Sequence, residues 1–416
     1  MRSRLFVAVA LMAVPASAWP QGNPVGPEFR VNTFVAGLQG NASVADSSGG
    51  FVVVWSSGMQ DGDDYGVFAQ RYAPSGAPLG PEFRVNTLTL AYQGAASVAT
   101  NPSGDFVVVW QSRGQDGSGF GIFGQRYGST GTPLGPEFRV NTYTIGYQIE
   151  PAIAADPSGN FVVVWTSFGQ DGDAYGVFGQ RYATSGAPLG SEFRVNTYTT
   201  ADQYAPSVAA DGSGNFVVAW HSFYQDGSLD GVFGQRYEGT GAVLGPEFRV
   251  NTYTTNSQWG SSVAADSAGS FLVVWQSFGQ DGSNHGIFGQ RYDSAGAAVG
   301  SEFRVNTYTM DDQIRPSVAA DSSGNFVVVW EGFGQDGSDF DVFGQRYAAS
   351  GTSSGPEFRI NTYTTIGQSG TAVAADSTGR FVVVWQSYGQ DGSSAGVFGQ
   401  RYNMIVPVEL MHFGVE

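Results

Sequence analysis

The acidic and aromatic side chains of this sequence recur at regular places, and any chemistry must start from them. Gln-Asp-Gly occurs seven times, at Asp61, Asp116, Asp171, Asp226, Asp281, Asp336 and Asp391. Carboxylates in Gly-rich loops can hold calcium through oxygen. Asp61, Asp63 and Asp64 in one loop, and Asp171 with Asp173 in another, are the candidate ligands, with calcium the candidate cofactor. A tight turn is the simpler explanation, because Gly accepts positive φ and Asp caps its own backbone. Most copies read Gln-Asp-Gly-Ser with one acid, which favours the turn. Phe168, Phe223, Phe278, Phe333 and Tyr388 each stand just before such a motif, with one residue between. Rings beside amides and carboxylates can bind sugars, the ring taking the apolar sugar face. The alternative is that each ring packs under its own loop.

A second group of residues differs from copy to copy: Tyr92, Arg113, Glu150, Tyr204, His221, Trp259, His285, Arg315, Glu331 and Asp341. A residue kept in every copy serves folding most simply; one that varies is freer to serve a ligand. Exposed aromatics with arginine make good binding anchors. Catalytic sets are scarce. The chain has no cysteine and three histidines, in separate loops or the tail, and no HExxH, GxSxG or P-loop in a fitting context. A glycosidase needs only two carboxyls flanking its substrate. Glu331 or Glu150 with Asp341 could serve, but no spacing selects them. The residues therefore point first to a noncatalytic binding or adhesion module for a glycan or other extracellular macromolecule, held at several near-equivalent sites. A calcium-stabilised envelope protein and a polysaccharide-cleaving enzyme are the alternatives.

These residues sit in a repeat. Trp55, Trp110, Trp165, Trp220, Trp275, Trp330 and Trp385 are 55 residues apart. Glu-Phe-Arg begins at Glu28, Glu82, Glu137, Glu192, Glu247, Glu302 and Glu357, and Gln-Arg-Tyr recurs between. Each copy holds four strand signals, shown around Trp165. They are PAIAA, the doubly apolar run FVVVW (Phe161 to Trp165), GVFGQRY and EFRVNT, separated by Gly-, Ser- and Asp-rich turns. A sheet apolar on both faces needs cover on both. Seven sheets set around an axis cover one another, so the sequence predicts an all-β fold, a seven-bladed β-propeller of four-stranded antiparallel blades. The last copy lacks an outer strand and the first EFR precedes any inner strand. The N-terminal strand, Glu28 to Thr33, is therefore expected to pair with the last blade and close the ring. Fourteen arginines lie in EFR or QRY, and Glu–Arg–Arg contacts are expected to lace each blade rim.

The segment from Pro316 to Trp330 (PSVAADSSGNFVVVW) resembles the strand–turn–strand core of NHL-type and related bacterial secreted propellers. That resemblance implies the fold and is nearly silent on activity. The Trp-Asp signature of WD40 repeats is absent, since Glu331 follows Trp330, and so is a DxDxDG calcium loop.

Composition bounds the rest. The chain has 416 residues, 41% hydrophobic and 13% charged, with a formal charge of −17. Such acidity argues against nucleic acid as a partner. Residues 1–18 (MRSRLFVAVALMAVPASA) form a basic, apolar, small-residue leader of secretory type, too short to span a bilayer. Its loss takes the charge from −17 to −19, leaving a propeller at 19–402 and a tail at 403–416. The tail's Val-Pro-Val-Glu-Leu resembles segments that precede C-terminal sorting domains of secreted bacterial proteins. A secreted, periplasmic or surface-bound monomer without a membrane span is expected.

Overall fold

The computed structural model describes residues 22–404, apart from 48, 336 and 338. The leader and the tail after 404 lie outside them. Each FVVVW run becomes the second strand of a four-stranded antiparallel sheet, and seven such sheets form. We number the blades 1 to 7 from Gln39 onward. In blade 3 the strands are Gln148–Ala155, Phe161–Phe168, Tyr175–Tyr182 and Phe193–Arg194. The outer strand is shorter than EFRVNT because Asn196 leaves the ladder: its Oδ1 accepts the Val177 amide at 2.7 Å.

The core lies between blades. Val107 and Val109 of blade 2 pack with Phe161, Val163 and Trp165 of blade 3, while Val108 and Trp110 face blade 1. Alternate side chains of one strand thus serve two interfaces, which is why the run has no polar face. All seven repeated tryptophans are fully buried.

The ring closes as the counting required. Phe29–Arg30 pairs antiparallel with Ala395–Asn403 in blade 7, Phe29 opposite Gly399 and Arg30 opposite Phe398. Asn32 Oδ1 accepts the Val397 amide at 2.7 Å, repeating across the seam the bond seen within every other blade.

The repeated charged residues tie blade to blade, which corrects the expected Glu–Arg–Arg lacing. Glu192 of blade 3 accepts from the Thr142 amide (2.6 Å) and hydroxyl (2.9 Å) of blade 2, and from Gln170 in its own loop. Glu28 does the same to Thr362 and Gln390 across the seam. Arg126, Arg181 and Arg236 donate instead to backbone carbonyls in the outer turn of the following blade. Tyr182 donates its buried hydroxyl to Val140 O of the preceding blade at 3.2 Å. Among the described residues no helix is long and apolar enough to cross a membrane.

Candidate functional site

One irregularity positions every candidate. Each inner strand breaks register just after its first residues, as between Ile149 and Ala152 or Tyr204 and Ser207. The bulged residue takes left-handed backbone: Asn41 (φ 50°), Ala95 (50°), Glu150 (56°), Ala205 (49°), Gly260 (65°), Arg315 (51°) and Gly370 (64°). Five of the seven are not glycine, so backbone strain is retained where the inner strands approach the axis. The bulge amide turns to the preceding blade. There it meets the side chain that follows the buried Trp: Gln111 accepts from Glu150 N (3.0 Å), Thr166 from Ala205 N (3.0 Å), Gln276 from Arg315 N (2.8 Å) and Glu331 from Gly370 N (2.6 Å). These linking side chains differ in kind because they need only an acceptor.

Against that ring the predicted residues separate. Glu331 is 1% exposed and bonds the Gly370 amide and Arg315 Nη1 (3.1 Å), so it ties blade 6 to blade 7. Burial raises its pKa, and Arg315 opposes the rise. Asp341 is buried and bonded to Asn361. Its strand-opening position is glycine in the other blades for a reason. A Cβ at Gly176 would stand 2.5 Å from Oδ2 of Asp171, the loop aspartate that meets Asn196 there. Asp341 thus brings its own carboxylate to the conserved asparagine position of its blade. The Glu331–Asp341 pairing imagined from sequence is therefore corrected: both acids are tied into the framework.

The loop carboxylates are engaged likewise. Asp61 and Asp171 accept from Asn86 and Asn196 at 3.3 Å, and Asp63 and Asp173 accept the Ala91 and Ala201 amides at 2.9 Å. Asp64 closes the same loop through its carbonyl, which accepts from Met59 N. Among the described residues no group of three or more His, Asp or Glu side chains could hold a metal ion. Gln148 and Gln203, which open their inner strands, are fully buried and bond neighbouring loops.

Phe168 meets Tyr175 at 5.1 Å, Phe333 meets Phe340 at 5.1 Å, and Phe223 meets Tyr224 at 4.0 Å. Tyr92 lies between Tyr65 (5.6 Å) and Phe120 (5.8 Å). Arg113 and Tyr388 end their second strands. Phe168, Phe278 and Phe333 are exposed.

Blades 3 to 5 bring several unlike groups together. The Tyr204 and His221 rings meet at 3.8 Å, His221 and Trp259 at 6.5 Å, Trp259 and His285 at 6.1 Å, and His285 and Phe278 at 5.1 Å. Tyr204 donates to Asp230 Oδ1 at 3.1 Å. Glu150 Oε2 accepts from the amide of the residue after Tyr204, Ala205 (3.1 Å), and from Thr166 Oγ1 (3.2 Å). His285 Nδ1 meets Asp312 Oδ1 at 2.7 Å. Desolvation raises the pKa of Glu150, although the side chain still meets solvent in the channel mouth. Desolvation also raises Asp230, with Tyr204 and Ser257 hydrogen bonds opposing it. Burial lifts the Tyr204 phenol too, reinforced by Asp230 and, more weakly, Glu150. Asp230 escaped the sequence reading. Its signal was present: the position holds Tyr65, Phe120, Tyr175, His285, Phe340 and Ala395 in the other copies, an acid in blade 4 alone.

No family model and no curated protein matches this chain. Solved structures do resemble it. A Dyadobacter fermentans protein of unknown function aligns over 74% of this chain and 94% of its own, with TM-score 0.53 and 9% identity. An α-L-arabinanase of Penicillium chrysogenum, complexed with arabinobiose, aligns over 74% and 92% (TM-score 0.49, 15% identity). An α-L-arabinofuranosidase of Fusarium graminearum aligns over 74% and 92% (TM-score 0.49, 11% identity). At these identities the likeness bears on fold alone. The expectation of a noncatalytic binding module is nonetheless corrected. Solved structures similar to this chain include an α-L-arabinanase and an α-L-arabinofuranosidase.

Proposed function

We propose that this chain is a secreted polysaccharide-cleaving hydrolase acting at the channel mouth of blades 3 to 5. The observation that supports it is that the Tyr204 phenol, bonded to Asp230, also lies within the field of Glu150, whose carboxylate bonds the amide of the residue after Tyr204, Ala205. Hydrolysis needs one carboxyl protonated and one ionised. Glu150 keeps Oε1 without a hydrogen bond among the described residues, and its raised pKa suits a proton donor. Desolvation raises the Asp230 pKa, and the Tyr204 hydrogen bond works against that rise in favour of the ionised form this reading assigns it. In this reading Glu150 protonates the leaving glycosidic oxygen as the C–O bond breaks. Water adds to the anomeric carbon and yields its proton to Asp230. Tyr204 orients the Asp230 carboxylate.

Purified protein assayed for reducing-sugar release on a polysaccharide panel, arabinan included, tests the reading. Glu150→Gln is expected to lower turnover at least about 100-fold, the low end for loss of a general acid, with folding unchanged by circular dichroism. Wild-type turnover should fall as pH climbs through the raised Glu150 pKa, and fall again in acid once Asp230 takes up a proton. Undiminished turnover in Glu150→Gln would sink the assignment.

A further inference from the structure

Blade 5 departs from its neighbours at the turn between its first two strands. In blades 3, 4 and 6 an asparagine closes that turn. Asn160, Asn215 and Asn325 donate Nδ2 to Oδ2 of Asp156, Asp211 and Asp321, each at 2.8 Å. Their Oδ1 atoms accept the amides of Thr184 (3.2 Å), Gly239 (3.1 Å) and Ala349 (3.1 Å). In blade 7, Arg380 Nη2 donates to Asp376 Oδ2 at 2.6 Å instead. Blade 5 has Ser270 in that place. Asp266 still takes the turn amides of Ala268 and Ser270 on Oδ1, each at 2.9 Å. Among the described residues nothing donates to its Oδ2, and the Ser294 amide, equivalent to that of Gly239, finds no acceptor. The carboxylate nonetheless keeps its station: a Cβ on Gly324 would stand 2.9 Å from Asp266 Oδ2, as one on Gly269 would from Asp211 Oδ2.

The shorter side chain also makes room. Between blades 5 and 6 a cleft of about 200 Å³ has Asp266, Ser270, Phe271, Arg291, Tyr292 and Phe326 among its walls. The equivalent clefts between blades 3 and 4 and between blades 4 and 5 hold about 40 Å³ each, walled by Asn160 with Leu189 and by Asn215 with Leu244. Val299 replaces that leucine in blade 5 and is not among the walls of the larger cleft. An apolar cavity of about 150 Å³ takes up benzene, so the larger cleft has room for a six-membered ring.

We propose that the cleft between blades 5 and 6 binds a small uncharged molecule carrying a primary carboxamide on an aromatic body. Its amide does what the asparagine side chain does in the neighbouring blades: the NH2 group donates to Asp266 Oδ2, and the carbonyl accepts from the Ser270 hydroxyl. Asp266 and Ser270 are half-buried, so both groups remain open to the cleft. Phe271, stacked on Tyr292 at 4.7 Å, and Phe326 of the next blade give the body its apolar walls. Arg291 is already engaged, donating to the Ser350 and Ala349 carbonyls. The carboxylate of Asp266 therefore selects the ligand: an amide meets it with a donor, a second carboxylate with like charge. The cleft lies at the other end of the inner strands from Glu150 and Tyr204 and does not depend on their role.

Isothermal titration calorimetry of the full chain with benzamide and with benzoate tests the site. Saturable binding of benzamide is expected, with benzoate weaker by about tenfold or more, the worth of one hydrogen bond to a charged group. Ser270→Asn supplies the amide from the chain itself and restores the residue of blades 3, 4 and 6, so the fold is kept. It should weaken benzamide binding by about tenfold or more on the same ground. Ser270→Ala, which keeps the room and the Asp266 acceptor, should weaken it less than Ser270→Asn does. No binding of benzamide, equal binding of benzoate, or undiminished binding in Ser270→Asn would overturn the proposal.

Discussion

Asp46 occupies the ladder position that Ala155, Ala210, Ala265, Ala320 and Ala375 hold in other blades, directly across from the first Phe of the second strand. A carboxylate in an alanine's place, at the seam between blades 7 and 1, is desolvated and faces Asp376, and its pKa rises to about 8. Because the folded value lies above the unfolded one, the folded state binds more protons than the unfolded state in between. Stability is then lost as pH climbs from about 4 towards 8. Asp46→Asn is expected to raise the melting temperature at pH 8 and to leave it nearly unchanged at pH 4. A substitution effect equal at both values would refute the assignment. Asp376 behaves oppositely: hydrogen bonds from Thr378 and Arg380 outweigh burial and hold its pKa down. The difference between these two acids comes from local partners, which no count of charges along the chain reveals.

At the scale of elements, the repeated motifs are connectors between sheets. The EFR glutamate reaches back one blade to a threonine, and the QRY tyrosine reaches back to a backbone carbonyl. The QRY arginine reaches forward to the next outer turn. A blade cut from the ring would lose these partners along with half of its apolar cover. Glu192→Ala is expected to destabilise the fold by about 2 kcal/mol, from the loss of three partly exposed hydrogen bonds. Chemical denaturation would measure it, and Glu192→Gln should recover part of the loss. A change below the error of the fit would show that the staple between blades 2 and 3 is idle. The motif pairing was only half legible beforehand. Alternation placed Glu and Arg on neighbouring outer strands, but the twist that carries Glu towards the preceding blade's threonine exists only once the sheets are set side by side.

For the whole molecule, closure is the decisive contact. The seam joins Phe29–Arg30 to Ala395–Asn403 and adds Glu28 to Thr362 and Asn32 to Val397. Arg346 lies over the Phe358 ring at 4.4 Å and donates to Gly22 O, which binds the N-terminal segment to blade 6. Removing residues 19–34 takes away a strand, a staple and the apolar Val31 together. A fall of several degrees in melting temperature is expected by calorimetry. An unaltered melt would mean that the circle holds without its clasp.

The repeat period, the doubly apolar FVVVW strands and the displaced first EFR already determined the blade count, the strand order and the closing pair, because each follows from covering two apolar faces and one free sheet edge. The same repetition hid the site. Asp230 is marked only by differing from its equivalents in the other copies, and no motif or spacing singles out Asp312. Asp230 meets Tyr204, and Asp312 meets His285, only once the strands and loops that carry them are set side by side. Which carboxyls stay protonatable and which vanish into the framework, as Glu331 and Asp341 do, was decided by burial and partners that only the closed ring creates.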